Sequence, residues 1–217
     1  MPITPSVTTR THEKQTNILQ VAAEMFLERG YDAVSLDDIL SRTGGSKTTL
    51  YSYYGGKEGL FAAIVRKMCV DKLAPMRELD VSQMDPKAGL TAIGRRFLNC
   101  VTDDEGRSFY RMIIAESERF PALAAEFFAS GPEMIQGLVR QNLERWQSKG
   151  LLRSGNAGML AVQFIGIMLG DFSTRSLLGL CPVLTEKELH DWVSRGVSLF
   201  LDGTRNAKQE RVRHASE

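Results

Sequence analysis

The chain has 217 residues, 43% of them hydrophobic and 24% charged, a globular balance long enough for one large core or two modest ones. A formal net charge of +1 excludes a surface coated in basic residues, so any nucleic-acid contact must come from a local arrangement of donors. Cys69, Cys100 and Cys181 lack CxxC spacing and lie in apolar helical patterns, which argues against a disulfide framework or zinc site and fits a reducing, cytoplasmic setting.

Taken in chain order, residues 1–12 are rich in Thr, Pro and Ser without periodicity and are expected to form a flexible arm. No basic-then-apolar leader pattern stands at this end. From Lys14 to Arg29, the residues Ile18, Val21, Ala22, Met25 and Phe26 recur at the spacing of one helical face, and Gly30 follows as a stop. Ser35 before Leu36-Asp37-Asp38-Ile39-Leu40 makes a capping box with Asp38, which starts a second helix at Leu36 and lets it run to about Thr43 before Gly44-Gly45. Ser46 is placed to cap a third helix, about Lys47 to Tyr53, closed by Gly55-Gly56. A fourth helix opens at Lys57 with Leu60, Phe61, Ile64, Val65 and Met68 on one face and extends toward Leu79. After linker-like residues from Asp80 to Lys87, helices are predicted over about 87–102, 106–119, 121–129, 132–149, 156–178 and 185–202. The most apolar run, Ala157 to Gly170, is shorter than the roughly 20 residues a membrane-spanning helix needs. No strand pattern appears, so the fold class is all-α, and the polar tail from Thr204 is expected to be disordered.

Two short helices joined by a three-residue, glycine-containing turn, following a packing helix, match the helix-turn-helix unit that enters a major groove. Leu36, Ile39, Leu40 and Leu50 are suited to pack inward, leaving Lys47, Thr48, Thr49, Tyr51, Ser52 and Tyr53 outward. A lysine ammonium reaches guanine or phosphate, threonine offers a hydroxyl and a methyl, and phenolic hydroxyls reach phosphates. Solvating the helix surface is the alternative role for Lys47 and the threonines, and packing against the first helix is the alternative for Tyr51 and Tyr53. Residues 1–66 carry seven Lys/Arg and seven Asp/Glu, so long-range steering is modest; Arg10, Lys14, Arg42, Lys47 and Lys57 are the cations available to cluster toward DNA.

Residues 14 to about 66 resemble the N-terminal domain of the TetR/AcrR family of bacterial transcriptional regulators. The likeness lies in Ala22 through Tyr31, then Ser35-Leu36-Asp37-Asp38-Ile39, then Ser46 through Tyr54, and finally Lys57-Glu58-Gly59-Leu60-Phe61, in order and at the family's spacing. The resemblance implies base reading by Lys47, Thr48 and Thr49, and phosphate contacts from Ser35, Tyr51, Tyr53 and Lys57; Ser46, at the start of the reading helix, joins them as a DNA-binding candidate. Gly45 departs from the family, which usually has a small apolar residue there, and Tyr54 stands where Phe is commoner. The implied layout is an arm (1–12), a helix-turn-helix domain (13–58), a helical ligand-binding and dimerisation domain with helix four as connector (59–203), and the tail (204–217).

In the second domain, Phe97, Phe109, Met112, Ile113, Phe127, Phe128, Met134 and Phe164 are bulky apolar candidates for an effector pocket, with core packing as the alternative for each. Glu116 and Gln163 are polar residues within apolar patterns, which points to a buried partner or a ligand. Leu189, Trp192, Val193, Val197, Phe200 and Leu201 form an apolar stripe. Together with Gly166 and Gly170, whose four-residue spacing permits close approach, this stripe is expected to form the interface of a homodimer, with packing inside one subunit as the alternative. The expected partners are thus palindromic double-stranded DNA, a second copy and a small hydrophobic effector, without a membrane.

His12, His190 and His214 are scattered, and no phosphate loop, nucleophile elbow or metal-ligand spacing occurs, so neither a catalytic site nor a metal or cofactor is expected. Repression relieved by the effector is the leading reading. Activation by the same fold, an all-helical enzyme and a DNA-organising protein without sequence preference are the alternatives.

Overall fold

The computed structural model describes residues 7–180 and 184–204. They form α1 (Val7–Arg29), α2 (Leu36–Thr43), α3 (Lys47–Tyr54), α4 (Lys57–Arg77), α5 (Pro86–Thr102), α6 (Asp104–Glu116), α7 (Pro121–Ser130), α8 (Pro132–Ser148), α9 (Ala157–Leu169), α10 (Phe172–Leu177) and α11 (Glu186–Thr204). The class is all-α. Among the described residues no helix is long and apolar enough to cross a membrane.

The first helix begins at Val7, well inside the expected arm, because neither Gly nor Pro interrupts the chain between Ser6 and Arg29. Residues 1–6, Cys181 and 205–217 lie outside the described residues, as do the side chains of 7–11, Arg10 among them, whereas Thr204, expected to open the disordered tail, is the buried last residue of α11, its hydroxyl donating to the Phe200 carbonyl.

The chain divides into two compact units. The first holds the described residues up to Asp71 together with Ser108–Ser130; the second holds Lys72–Arg107 and the described residues from Gly131. The boundary expected at 58/59 therefore falls inside the first unit. Its cause is the inner face of α4: Leu60, Phe61, Ile64 and Val65 are buried in one cluster with Ile18, Met25 and Phe26 of α1 and with Ile39 and Leu50. Burying four such side chains contributes several kcal/mol, so the start of α4 cannot be parted from the head. Phe109, Met112, Ile113 and Leu123 complete that cluster.

The second unit has its own core, in which Leu90, Ile93, Phe97 and Leu98 of α5 meet Val139, Leu143 and Trp146 of α8, Phe164 and Met168 of α9, and Val193, Val197 and Phe200 of α11. Here the helix expected over 156–178 is two helices. Gly170 adopts φ +49, and a Cβ there would stand 2.5 Å from the Trp192 ring, while the indole N–H of Trp192 donates to the Met168 carbonyl at 2.8 Å. Only glycine admits this break. Trp146 repeats the arrangement, its ring 2.5 Å from where a Cβ would stand on Gly89 and its N–H donating to the Met84 carbonyl at 3.0 Å.

Candidate nucleic-acid interface

The first unit presents α3 through a chain of local stops and starts. Asp38 N–H donates to Ser35 Oγ at 3.1 Å while Ser35 N–H donates to Asp38 Oδ2 at 2.8 Å, closing the capping box expected from the sequence. That hydrogen bonding holds the Asp38 carboxyl below its ordinary range. Gly44 (φ +69) and Gly45 (φ +108) then turn the chain, and Thr49 N–H donates to Ser46 Oγ at 3.2 Å to start α3. Gly55, in the left-handed region, ends it by donating to the Tyr51 carbonyl.

One side of α3 is anchored. Leu50 is fully buried, and the Tyr54 hydroxyl donates to the Gln15 carbonyl of α1 at 3.3 Å, which gives the tyrosine at this position a use that phenylalanine would lack. Tyr53 is half-buried against Tyr54, their ring centroids 6.1 Å apart. Gly59 lies so close beneath α3 that a Cβ there would fall 1.7 Å from the Tyr54 carbonyl oxygen. Its place in the Lys57-to-Phe61 motif carried this signal, although spacing alone did not single it out.

The other side is open. Ser35, Ser46, Lys47, Thr48 and Tyr51 are exposed, Tyr51 at 54%, and Thr49 is half-exposed with its hydroxyl 2.9 Å from that of Ser46. Tyr51 thus does not pack against α1. Its ring lies 3.3 Å from where a Cβ would stand on Gly56. Lys47 pairs with Asp37 at 2.8 Å, which holds the ammonium above the ordinary lysine range. Lys57, expected at phosphate, has its ammonium 4.1 Å from the centre of the Tyr31 ring, and burial pushes its pKa down. Tyr31 also touches Phe26, Phe61 and Phe120, and Arg119, stacked near it, donates to Asp32. The turn between α1 and α2 is therefore fastened to the turn between α6 and α7 inside one unit.

The expected pocket residues are divided. Phe109, Met112 and Ile113 are buried in the first unit with Phe127 packed beside them, whereas Phe97 and Phe164 are buried in the second with Met134 against them. Phe128 is 49% exposed, so it lines no interior. Glu116 is half-buried and Gln163 is exposed. The premise for Gln163 fails because α9 is apolar all round. Its inner face is Ala161, Phe164 and Met168, and Gln163 belongs with Met159, Val162 and Gly166 outside. The stripe expected at a dimer interface is likewise interior, since Leu189, Val193, Val197 and Phe200 are buried by their own unit and Trp192 and Gly170 close on each other. Gly166 alone of that set faces open space. Exposed apolar side chains on the outer faces are Met159, Val162 and Leu199, beside a groove of about 490 Å³ lined by Leu160, Gln163, Gly166 and Ile167 of α9 and by Leu199 and Gly203 of α11.

A three-helix head with a capped, outward-facing α3, joined to a separate helical unit, defines a helix-turn-helix regulator of two domains. Residues 18–64 match the model of the bacterial regulatory proteins of the tetR family, and residues 88–203 match that of the AefR-like transcriptional repressor C-terminal domain. YezE, an uncharacterised HTH-type transcriptional regulator of Bacillus subtilis, is 30% identical over 145 residues, covering 66% of this chain and 71% of its own. The flavonoid-responsive regulator FrrA superposes with a TM-score of 0.78 at 31% identity, covering 90% of this chain and 99% of that one. A TetR-family regulator from Mesorhizobium loti superposes with a TM-score of 0.82 at 24% identity, covering 91% and 100%. The chain belongs to the TetR family of helix-turn-helix transcriptional regulators.

Proposed function

We propose that the protein represses transcription as a homodimer on a palindromic operator and is released by a small, apolar, aromatic effector. The observation that carries the DNA part is the face of α3, where Lys47, Thr48 and Tyr51 stand exposed at a capped helix start while Leu50 and Tyr54 fix the opposite side. Lys47, Thr48 and Thr49 meet base edges, and Ser35, Ser46, Tyr51 and Tyr53 meet phosphates. Lys57 serves to hold Tyr31 and reaches phosphate only if it leaves that ring.

Dimerisation is supported by the apolar outer faces of α9 and α11, with Met159, Val162, Gly166 and Leu199 meeting their copies across a two-fold axis. Two α3 helices then address half-sites about 34–36 Å apart. Repression is supported by the likeness to the AefR-like repressor domain. The effector class is supported by the likeness to a flavonoid-responsive regulator and by an aromatic-rich second core, where Phe97, Met134 and Phe164 are the contacts.

Selection of bound duplexes from random DNA tests the reading head and the dimer together. A palindrome whose recovery is lost with Lys47→Ala is expected; recovery of single half-sites, or of no preferred sequence, overturns the reading. Titration of the complex with a panel of flavonoids tests the effector, and operator affinity unmoved by all of them rules that class out.

A further inference from the structure

The head carries an acidic side chain that neither its core nor its caps use. Asp37, in the first turn of α2, places Oδ2 2.8 Å from Lys47 Nζ at the first position of α3. The two side chains are 69% and 56% exposed, and exposed ion pairs contribute little to stability.

What the pair fixes is where a mobile charge stands. Lysine presents a point charge on a flexible stem and takes a phosphate as readily as a guanine edge. A carboxylate beside it accepts from the ammonium and repels a phosphate approaching the same place, whereas it leaves the remaining ammonium hydrogens free for the oxygen and nitrogen of a guanine edge. A second cation shows the contrast. Lys14 of α1 lies over the α2–α3 turn, its Nζ 3.1 Å from where a Cβ would stand on Gly45, and among the described residues no carboxylate pairs with it. Lys14 is thus available to phosphate at the start of α3, and Lys47 is held apart.

We propose that Asp37 is a specificity-determining residue of the head: by pairing with Lys47 it withholds that ammonium from the DNA backbone and leaves it to a base edge. This rests on α3 being the helix that reads DNA.

The test uses the full-length protein and two duplexes of equal length, the site selected by the wild type and a scrambled sequence, with binding followed by fluorescence anisotropy at fixed salt. Asp37→Asn keeps the shape and removes the charge; it is expected to bind the scrambled duplex about two- to fivefold tighter while gaining less on the selected site, so the ratio of the two affinities falls. Asp37→Glu, which keeps the charge, is expected to keep the ratio. Glu28→Gln, an equal charge change on α1, is expected to leave the ratio unchanged, and Asp37→Asn in a Lys47→Ala background is expected to have no further effect on it. If Lys47→Ala lowers the ratio and Asp37→Asn does not, the inference is wrong and the reading of α3 stands. If Lys47→Ala also leaves the ratio unchanged, the reading of α3 fails and the inference with it.

Discussion

The two units hold helices at fixed angles by different chemistry. In the first, α2 and α3 are eight residues each, bury only Ile39 and Leu50 within them, and depend on Ser35, Asp38, Ser46 and Gly55 at their ends. In the second, longer helices touch where indole meets glycine, Trp146 against Gly89 and Trp192 against Gly170, with each indole N–H spent on a backbone carbonyl. Short helices held by end caps and one buried side chain each leave a face uncommitted, and in α3 that face carries Lys47, Thr48 and Tyr51. Where a ring closes on a glycine there is no room for a side chain, so a shift of either partner at that point must move the other.

Substitutions that strike each device separately sharpen the contrast. The largest effect is expected from Gly170→Ala, which meets both an unfavourable φ and the Trp192 ring and is expected to cost about 2–5 kcal/mol in chemical denaturation. Pairing it with Trp192→Leu should recover part of the loss; no recovery would mean the ring is not what closes the site. Leu50→Ala is expected to cost about 3 kcal/mol by leaving a cavity beneath α3, and to abolish operator binding at temperatures where the second unit is still folded. Retained affinity would show that α3 is not held by its core contact. Ser46→Ala removes one cap and is expected to cost about 1 kcal/mol, with Ser46→Gly costing less.

The smallest effect is acid-dependent. Arg66 beside Glu126 holds that carboxyl down to about 2, against an ordinary 4.5. Because the folded-state value is the lower one, the pair's contribution is whole above about pH 4.5 and is lost as pH falls toward 2. The stability gap between wild type and Arg66→Met is therefore expected to shrink between pH 6 and pH 3. A gap that stays constant would show that the ion pair adds nothing.

Much of the head was legible because its signals are local. Ser35, Asp38, Ser46 and the paired glycines fix helix ends within a few residues of themselves, and no distant contact is needed to interpret them. The second unit was less so. The α11 stripe shows that Leu189, Val193 and Val197 are covered, but periodicity does not say by what, and the same pattern serves a partner subunit or the chain's own α5 and α9. Gln163 misled for a related reason: in a helix apolar on both sides, a polar residue marks neither side as interior. Phe109 and Phe164 look alike in sequence, and only the division of the chain assigns them to different cores. Gly170 did carry a readable sign, a glycine before Asp171 being an ordinary helix stop, but the apolar run hid it.

Trp146 and Trp192 are the chain's two tryptophans, and both stand in the second unit with their indole nitrogens bonded to carbonyls. Intrinsic emission excited at the red edge of protein absorption is thus an optical channel for that unit alone, with the DNA-reading unit dark. Melting followed by this light and by backbone ellipticity would separate if the units unfold independently and coincide if they unfold together, without any label being attached.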